Sequence, residues 1–242
     1  MEGKNKTYLI IPDVHGRDFW KEGVKKRLSG EKIIFLGDYT DPYSFEGITH
    51  EVVPGTIREI LETPNAIFLL GNHDLSYLFP NSPEVRQDKN IKRFKEIENL
   101  FLDNWDKFRL TYTEDELVFS HAGFLKSMYN KWRGKKYTIK TIADLFQNRW
   151  EEKDINLLGA ELFYISGLRG GWSKFGSFVW ADVREHLRED HLFWSKHFQV
   201  FGHTMLKTGH IIKRPTFAMV DCQRPVRLIA AKRWKDYRFE IL

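Results

Sequence analysis

The chain has 242 residues, of which 42% are apolar and 29% are charged, which allows a buried core and excludes a disordered or fibrous protein. Its single cysteine, Cys222, excludes an intrachain disulfide and cysteine-rich zinc modules. The net charge of +5 favours anionic ligands, but the basic runs are too short to predict a nucleic-acid-binding tail.

The first apolar run, Tyr8–Ile11, predicts a buried strand that ends at Pro12. This run is too short for the core of a signal peptide, and no stretch approaches the roughly 18 apolar residues of a membrane helix. We therefore expect a cytoplasmic protein without a membrane partner.

Strands and helices alternate through the N-terminal half. Further buried strands are predicted at Lys32–Leu36 and Ala66–Leu70, because each is a short apolar run closed by glycine. Apolar residues at helical spacing predict helices between the strands, over 19–28 and 52–61. This order is typical of parallel strands joined by right-handed crossovers.

The second half of the chain has a different pattern. Residues 75–110 contain one helical face of Ile91, Phe94, Ile97 and Phe101, and 125–165 are mainly helical in character. The remaining short apolar runs suggest antiparallel strands, so we expect two sheets packed in one domain. These runs are Phe198–Phe201, Ile211–Ile212, Phe217–Val220 and Val226–Ala231, and Leu117–Ser120 predicts one further strand before them.

Side chains that bind metals follow the predicted strands at the point where each strand ends. Ligands gather beyond the carboxyl ends of strands in open α/β sheets, so we expect these side chains to share one crevice. Carboxylate, imidazole and amide donors without a thiolate suit manganese, iron or zinc. The residues are Asp13, His15, Asp38, Asp41, Asn72, His73, Asp74, His121 and His203.

Taken singly, each of these motifs has an ordinary explanation. Asp-x-His and Asn-His-Asp sequences occur in surface turns and helix caps, and a lone histidine is more often a satisfied core residue. Their recurrence at one strand end after another is what favours a metal site.

Five motifs together resemble the calcineurin-like metallophosphoesterase superfamily, closest to the phosphoprotein phosphatase branch that includes bacterial diadenosine tetraphosphatases. The resemblance implies an α/β fold, a four-layer αββα sandwich of two mixed sheets. Residues 1–242 would form one such domain, with helical insertions near 75–110 and 125–175. The motifs are Asp13–Gly16, Gly37–Asp41, Gly71–Asp74, His121–Gly123 and Gly202–Thr204, and Phe178–Asp182 resembles a further segment of that branch.

The resemblance also implies a centre of two divalent metal ions, with manganese preferred over iron or zinc. Met205 stands where other branches often carry an additional histidine, which agrees with the phosphoprotein phosphatase branch. Asp38 would bridge the two ions. The implied ligands are Asp13, His15 and Asp38 for one ion, and Asp38, Asn72, His121 and His203 for the other.

The mechanism implied by the resemblance is direct attack on phosphorus by a hydroxide that both ions share, without a covalent intermediate. His73 would protonate the leaving oxygen as general acid, and Asp74 would fix the tautomer of His73. The alternative is that His73 is a structural residue beside the ligands.

One departure from the family pattern concerns phosphate binding. The branch usually carries an arginine after the second aspartate of the Gly37–Asp41 motif, where this chain has Pro42. Arg169, between a leucine and two glycines, is our first candidate for a substitute, followed by Arg184 and Arg17. Each of these arginines is equally well explained as a solvated surface residue.

We therefore expect a phosphatase that hydrolyses phosphomonoesters and resembles the serine/threonine protein phosphatases. Its substrate partner would be a phosphopeptide, a nucleotide or a small phosphoester. The alternatives are a hydrolase of dinucleoside polyphosphates and an inactive metal-bound binding protein that lost activity with the missing arginine. An RNA-directed phosphatase is compatible with the positive charge, but nucleic acid is not the favoured partner.

Overall fold

The computed structural model describes residues 6–80, 92–129, 138–154, 161–189 and 196–242. Its helices are α1 (Phe19–Lys25), α2 (Val53–Leu61), α3 (Asn72–Leu78), α4 (Phe94–Asp103), α5 (Ile139–Glu151) and α6 (Val183–Arg188). Its strands are β1 (Lys6–Ile11), β2 (Lys32–Phe35), β3 (Ala66–Leu69), β4 (Phe108–Arg109), β5 (Thr111–Glu114), β6 (Leu117–Ser120), β7 (Phe198–Phe201), β8 (Ile212–Lys213), β9 (Phe217–Met219), β10 (Val226–Ala230) and β11 (Arg238–Ile241).

The first sheet has the strand order β11-β10-β1-β2-β3-β4. Strands β1 to β4 run parallel, with Ile10 opposite Ile34 and Phe35 opposite Phe68. The parallel arrangement predicted from the alternation of strands and helices is therefore confirmed. Strands β10 and β11 extend the other edge of β1 in antiparallel pairing.

The second sheet has the order β5-β6-β7-β9-β8. Here the prediction of antiparallel C-terminal strands is wrong for the pairing of β7, which runs parallel to both β6 and β9, and is confirmed for the pairing of β8 with β9. A short apolar run carries no information on strand direction, which depends on the path of the connection. The connection from β6 to β7 includes α5 and α6 and brings the chain back to the same end of the sheet.

The alternation of side chains along β1 explains how the layers pack. Tyr8 and Ile10 face the second sheet and join Phe119 and Val200 in the core between the sheets. The intervening side chains, such as Leu9, point to the opposite face of the first sheet, because successive residues of a strand alternate.

Helices cover both outer faces of the sheets. Trp20 of α1 and Ile57 of α2 pack in the cluster on the outer face of the first sheet. On the second sheet, the Thr111 hydroxyl of β5 donates to the Ala143 carbonyl of α5 at 2.8 Å. Val183 of α6 packs against a cluster formed by β7 and β9. The expected four-layer αββα sandwich is confirmed.

The helical face predicted within 75–110 forms α4. Ile97 and Phe101 of this face are buried, whereas Ile91 lies outside the described residues.

No helix within the described ranges is long and apolar enough to cross a membrane.

An ionic cluster joins the sheets at the end where β1 and β2 begin. Glu114 of β5 accepts hydrogen bonds from Lys32 of β2 at 2.8 Å and from Lys6 of β1 at 3.2 Å, and also from the Tyr112 hydroxyl at 2.8 Å. Partial burial opposes ionisation of Glu114, but these hydrogen bonds outweigh it and lower the pKa from 4.5 to about 2. The ionised form of Glu114 therefore stabilises the contact between the sheets.

We expect Glu114→Gln to lower the free energy of unfolding by about 1 kcal/mol at pH 7, since the cluster is only partly shielded from water. The folded-state pKa is depressed, so this contribution is present above pH 4.5 and is lost as the pH falls toward about 2. The difference between variant and native protein should shrink over that range in urea titrations.

The control is Glu240→Gln, because the Glu240 carboxylate is half exposed and lies 3.7 Å from Arg227. A loss of stability as large as that of Glu114→Gln, with the same pH dependence, would contradict the special role of the cluster.

Candidate metal centre and active site

The side chains predicted as metal ligands lie together at the carboxyl ends of strands from both sheets. The ligand atoms of Asp13, His15 and Asp38 lie within 4.8 Å of one another. Those of Asp38, His121 and His203 form a second such group, so Asp38 belongs to both. All of these side chains are buried.

The carboxylate of Asp38 lies between the histidines of the two groups. Its Oδ2 is 3.6 Å from His15 Nε2 and 3.3 Å from His121 Nε2. Nε2 of His121 also lies 3.0 Å from Asn72 Oδ1 and 3.1 Å from His203 Nδ1. The Asn72 side chain therefore lies beside the second group.

The loops after β1 and β2 are tied to each other through the backbone. The amides of Val14 and His15 both donate to the Asp38 carbonyl, at 3.0 and 2.6 Å. His15 and Asp38 have positive φ angles of 47° and 50°, and His203 has 73°. Non-glycine residues rarely adopt this conformation, so the backbone is strained where these side chains turn into the site.

Two glycines allow the close approach of the carboxylates. A Cβ atom at Gly202 would lie 2.4 Å from Asp13 Oδ1, and one at Gly71 would lie 2.0 Å from Asp38 Oδ1. Any side chain at these positions would displace a carboxylate from the site.

The donor atoms fit a cation. Asp13 Oδ2, His15 Nε2 and His203 Nε2 are buried and have no hydrogen-bond partner in the described part of the chain. Buried polar atoms without partners are costly, and bound cations remove that cost. His15 Nδ1 donates to the Thr40 carbonyl at 2.8 Å, which leaves Nε2 as the free electron pair that a metal requires.

The electrostatics of the pocket also favour positive charge. Burial opposes protonation of His121, but Asp38 and Asp13 outweigh it and raise the pKa of His121 to about 10. Burial acts against ionisation of Asp38 as well, yet His121 and His73 hold its pKa well below the ordinary value. The buried carboxylates therefore favour the binding of cations at this site, and divalent metal ions would supply the positive charge.

Asp221 is a further carboxyl at the site, beyond those that the sequence predicts. It lies two residues after the end of β9, is 2% exposed, and its Oδ1 has no hydrogen-bond partner among the described residues. Burial and the nearby charge of Asp13 raise its pKa well above the ordinary value. Its position after the run Phe217–Val220 is the same signal that marks the other strand ends.

His73 lies at the start of α3, beside the shared carboxylate. Its backbone amide donates to Asp38 Oδ1 at 3.0 Å, and its ring meets that of His15 edge-on at 5.1 Å. Its side chain is 37% exposed, unlike the buried ligand residues. Burial lowers the pKa of His73, but Asp38 and the hydrogen bond with Asp41 raise it to about 9.

The expectation that Asp74 fixes the tautomer of His73 is wrong. His73 Nδ1 instead bonds Asp41 Oδ2 at 2.8 Å, while the Tyr77 hydroxyl donates to the other oxygen of Asp41 at 2.8 Å. Asp74 folds back in the first turn of α3 and accepts hydrogen bonds from the backbone amides of Gly71, Tyr39 and Thr40. Asp74 therefore holds the backbone of the neighbouring loops, and the loop after β2 supplies the partner of His73.

The three candidate arginines have different environments. Arg169 Nη2 donates to Thr204 Oγ1 at 2.6 Å, next to His203, and its side chain is 27% exposed. Both Arg169 and Arg184 pair with Asp182, Arg184 being the more exposed of the two. Arg17 is nearly buried and donates to the carbonyls of Asp13 and Val14 and to Glu46. Arg169 thus lies beside the second metal-binding group, and the Arg17 guanidinium is engaged by the loop after β1.

We expect Asp38→Ala to abolish binding of both metal ions, because both groups lose the carboxylate that they share. Calorimetric titration with Mn²⁺ should show two equivalents bound by the native protein and none by the variant.

Asp236→Ala is the control, since Asp236 is exposed and pairs with Arg233 outside the site. If Asp38→Ala protein still bound two equivalents of Mn²⁺, the assignment of the shared ligand would be incorrect.

A second test concerns the close approach at Gly202. We expect Gly202→Ala to weaken Mn²⁺ binding about 10- to 100-fold, because the added methyl group displaces Asp13. Gly55→Ala is the matched control: Gly55 lies in α2 with open space around it, so this substitution should leave Mn²⁺ binding unchanged and slightly raise stability. Unaltered Mn²⁺ affinity in Gly202→Ala would show that Asp13 is not a ligand.

Comparison with known proteins identifies the family. The family model of calcineurin-like phosphoesterases matches residues 6–207, and no curated protein sequence matches this chain. A cold-active protein-tyrosine phosphatase of a psychrophilic Shewanella species has a similar structure, with a TM-score of 0.52 and 15% identity over 93% of this chain and 78% of that chain. Another structure of a cold-active protein tyrosine phosphatase gives a TM-score of 0.59 and 14% identity over 93% and 74% of the two chains.

A protein serine/threonine phosphatase from Saccharomyces cerevisiae gives a TM-score of 0.51 and 16% identity, over 98% of this chain and 80% of that chain. At these identities the likeness shows a shared fold only. The family model, however, covers most of the sequence and all the strand ends that build the site except the one followed by Asp221. The chain belongs to the calcineurin-like phosphoesterase family and is a metal-dependent phosphoesterase.

Proposed function

We propose that this chain is a phosphatase that hydrolyses phosphomonoesters with the chemistry of the serine/threonine protein phosphatases. The proposal rests on the two clusters of metal-binding side chains, which have Asp38 in common. His73 lies directly beside Asp38. The similar structures named above as protein phosphatases support the same class of reaction.

Two divalent ions would be held by the groups described above. When bound, they would supply Lewis acidity for the phosphoryl oxygens and water made reactive at neutral pH. Manganese is the ion that we favour for the mixed oxygen and nitrogen donors, with iron and zinc as alternatives. The ligands would be Asp13, His15 and Asp38 for one ion, and Asp38, Asn72, His121 and His203 for the other.

His73 would be the general acid that protonates the leaving oxygen. The hydrogen bond between its Nδ1 and Asp41 Oδ2, at 2.8 Å, favours the protonated ring. Since Nδ1–H donates to Asp41, the proton on Nε2 is the one available for the leaving group. Asp41 would position the His73 ring that carries this proton.

Arg169 would bind the phosphate in place of the missing arginine. It is the candidate beside His203, whose pKa is held well below its ordinary value by burial and by the positive charges of His121 and Arg169. A guanidinium held at one side by Asp182 can still present donors to a phosphate. Arg184 is a second candidate on the same carboxylate, whereas the hydrogen bonds of Arg17 favour a structural role.

The proposal is tested with manganese-loaded protein and three substrates: a phosphoserine peptide, phenyl phosphate and diadenosine tetraphosphate. Phosphate release is followed colorimetrically, and nucleotide products are followed by chromatography. We expect hydrolysis of the monoesters. Cleavage of diadenosine tetraphosphate alone would favour the polyphosphate hydrolase, and two bound ions without any turnover would favour the binding protein.

We expect His73→Asn to retain Mn²⁺ binding and to lose about 10²-fold or more in kcat with an alkyl phosphate, whose leaving group needs a proton. The loss should be much smaller with p-nitrophenyl phosphate, whose leaving group is stable as an anion. Steady-state kinetics with both substrates measure the difference, and loss of the metals in His73→Asn would contradict the general-acid role.

Asp41→Asn distinguishes the two carboxylates near His73. The substitution should reduce kcat for the alkyl phosphate, because the ring loses its anionic partner, with a smaller effect on p-nitrophenyl phosphate. An equal loss with both substrates would indicate a general structural defect and not the positioning of His73.

A further inference from the structure

We propose that Tyr43 and Phe45 form an aromatic ledge that binds a flat aromatic ring carried by the substrate's phosphate ester. The inference rests on the proposed function, because it names the class of phosphoester that the site prefers. It is carried by the position, the stacking and the exposure of these two rings.

The ledge begins at the metal-binding groups. The Tyr43 ring lies against the ring of His15, with 4.4 Å between the centroids. Burial and the charges of Asp13 and Asp38 raise the pKa of the Tyr43 hydroxyl, which agrees with its place beside these carboxylates. Tyr43 follows Pro42, which stands where the family pattern would place its phosphate-binding arginine.

Phe45 extends the stack outward into solvent. Its ring is nearly parallel to that of Tyr43, with 5.3 Å between centroids and 16° between planes. Phe45 is 73% exposed, so one face of its ring packs on Tyr43 and the other remains open to a ligand. The Tyr43 ring is tilted by 45° to the His15 ring, and the stacked pair of Tyr43 and Phe45 ends at an open face that one more ring can cover.

The ledge is held in place by its own segment and by Arg17. Residues Ser44–Glu46 form a short 3-10 turn that ends at Gly47, with a positive φ of 71°. Arg17 donates to the Asp13 carbonyl at 2.8 Å and to Glu46 at 3.4 Å, and its guanidinium lies 5.7 Å from the Tyr43 ring centroid. Arg17 therefore connects the ledge to the loop that carries Asp13.

The chemistry of the occupant follows from this surface. An exposed phenylalanine on a short turn offers a π-face and no hydrogen bond, so it selects for planar rings and not for charge. Stacking of one ring on an aromatic side chain corresponds to roughly tenfold in affinity at the lower end of such contacts. An alkyl ester such as phosphoserine has no ring to place there.

The decisive experiment compares two phosphonates with the manganese-loaded full chain. By calorimetry, we expect the native protein to bind phenylphosphonate about tenfold more tightly than methylphosphonate. Phe45→Ala should remove this preference without changing the affinity for methylphosphonate, and Phe45→Trp should keep it. The control is Trp172→Ala, since Trp172 is 98% exposed but lies on a different segment; this variant should retain the preference.

The same variants are then compared with the native protein in steady-state kinetics. The comparison is made separately for each substrate, so that differences in leaving-group reactivity cancel. Phe45→Ala should lower kcat/KM about tenfold for phenyl phosphate and leave that for ethyl phosphate unchanged. O-phosphotyrosine and adenosine 5′-monophosphate then distinguish a tyrosine side chain from a nucleotide base as the source of the aromatic ring. Phe45→Ala should lower kcat/KM only for the substrate whose ring reaches Phe45.

The proposal is overturned if native protein binds the two phosphonates equally or not at all. It is equally overturned if Phe45→Ala retains the preference or if Trp172→Ala abolishes it. Failure of the proposed function gives a different result, namely no hydrolysis of any ester, and the phosphonate titrations still decide the role of Phe45 in that case.

Discussion

The burial of one shared carboxylate, Asp38, organises the whole site. Its carbonyl accepts from the loop after β1, its Oδ1 accepts from His73 at the start of α3, and its Oδ2 faces His15 and His121. A buried carboxylate with these neighbours is stable only when positive charge surrounds it, which is supplied by protonated histidines or by cations. The strained backbone and the buried polar atoms without hydrogen-bond partners at the site follow from the same need for positive charge around Asp38.

The two sheets bring these groups together because their strands end on the same side. Strands β1, β2 and β3 of the first sheet are parallel, and so are β6, β7 and β9 of the second. The loops that leave their carboxyl ends meet above the core between the sheets, where His121 and His203 approach Asp38. The opposite end of the sandwich carries the Lys32–Glu114 cluster, which stabilises the same contact between the sheets without taking part in the site.

Residues of one chemical type have separate tasks here because their surroundings differ. Asp74 is used by backbone amides, whereas Asp41 faces His73 and Tyr77. Arg17 is engaged by carbonyls and Glu46, whereas Arg169 lies beside His203 with part of its surface exposed. In both pairs the hydrogen bonds made within the protein distinguish the group that holds the backbone from the group that lies beside the candidate site.

The sequence by itself determined the order of strands and helices in the N-terminal half and the residues that follow each strand, because local apolar runs and turn residues carry this information. It also indicated that these residues share one crevice, since parallel strands end together. Only the tertiary structure decided the parallel direction of β7 and β9, the choice of Asp41 over Asp74 for His73, and the stack of Phe45 on Tyr43. These features depend on how loops from distant parts of the chain lie against one another, and such contacts leave no trace in local spacing.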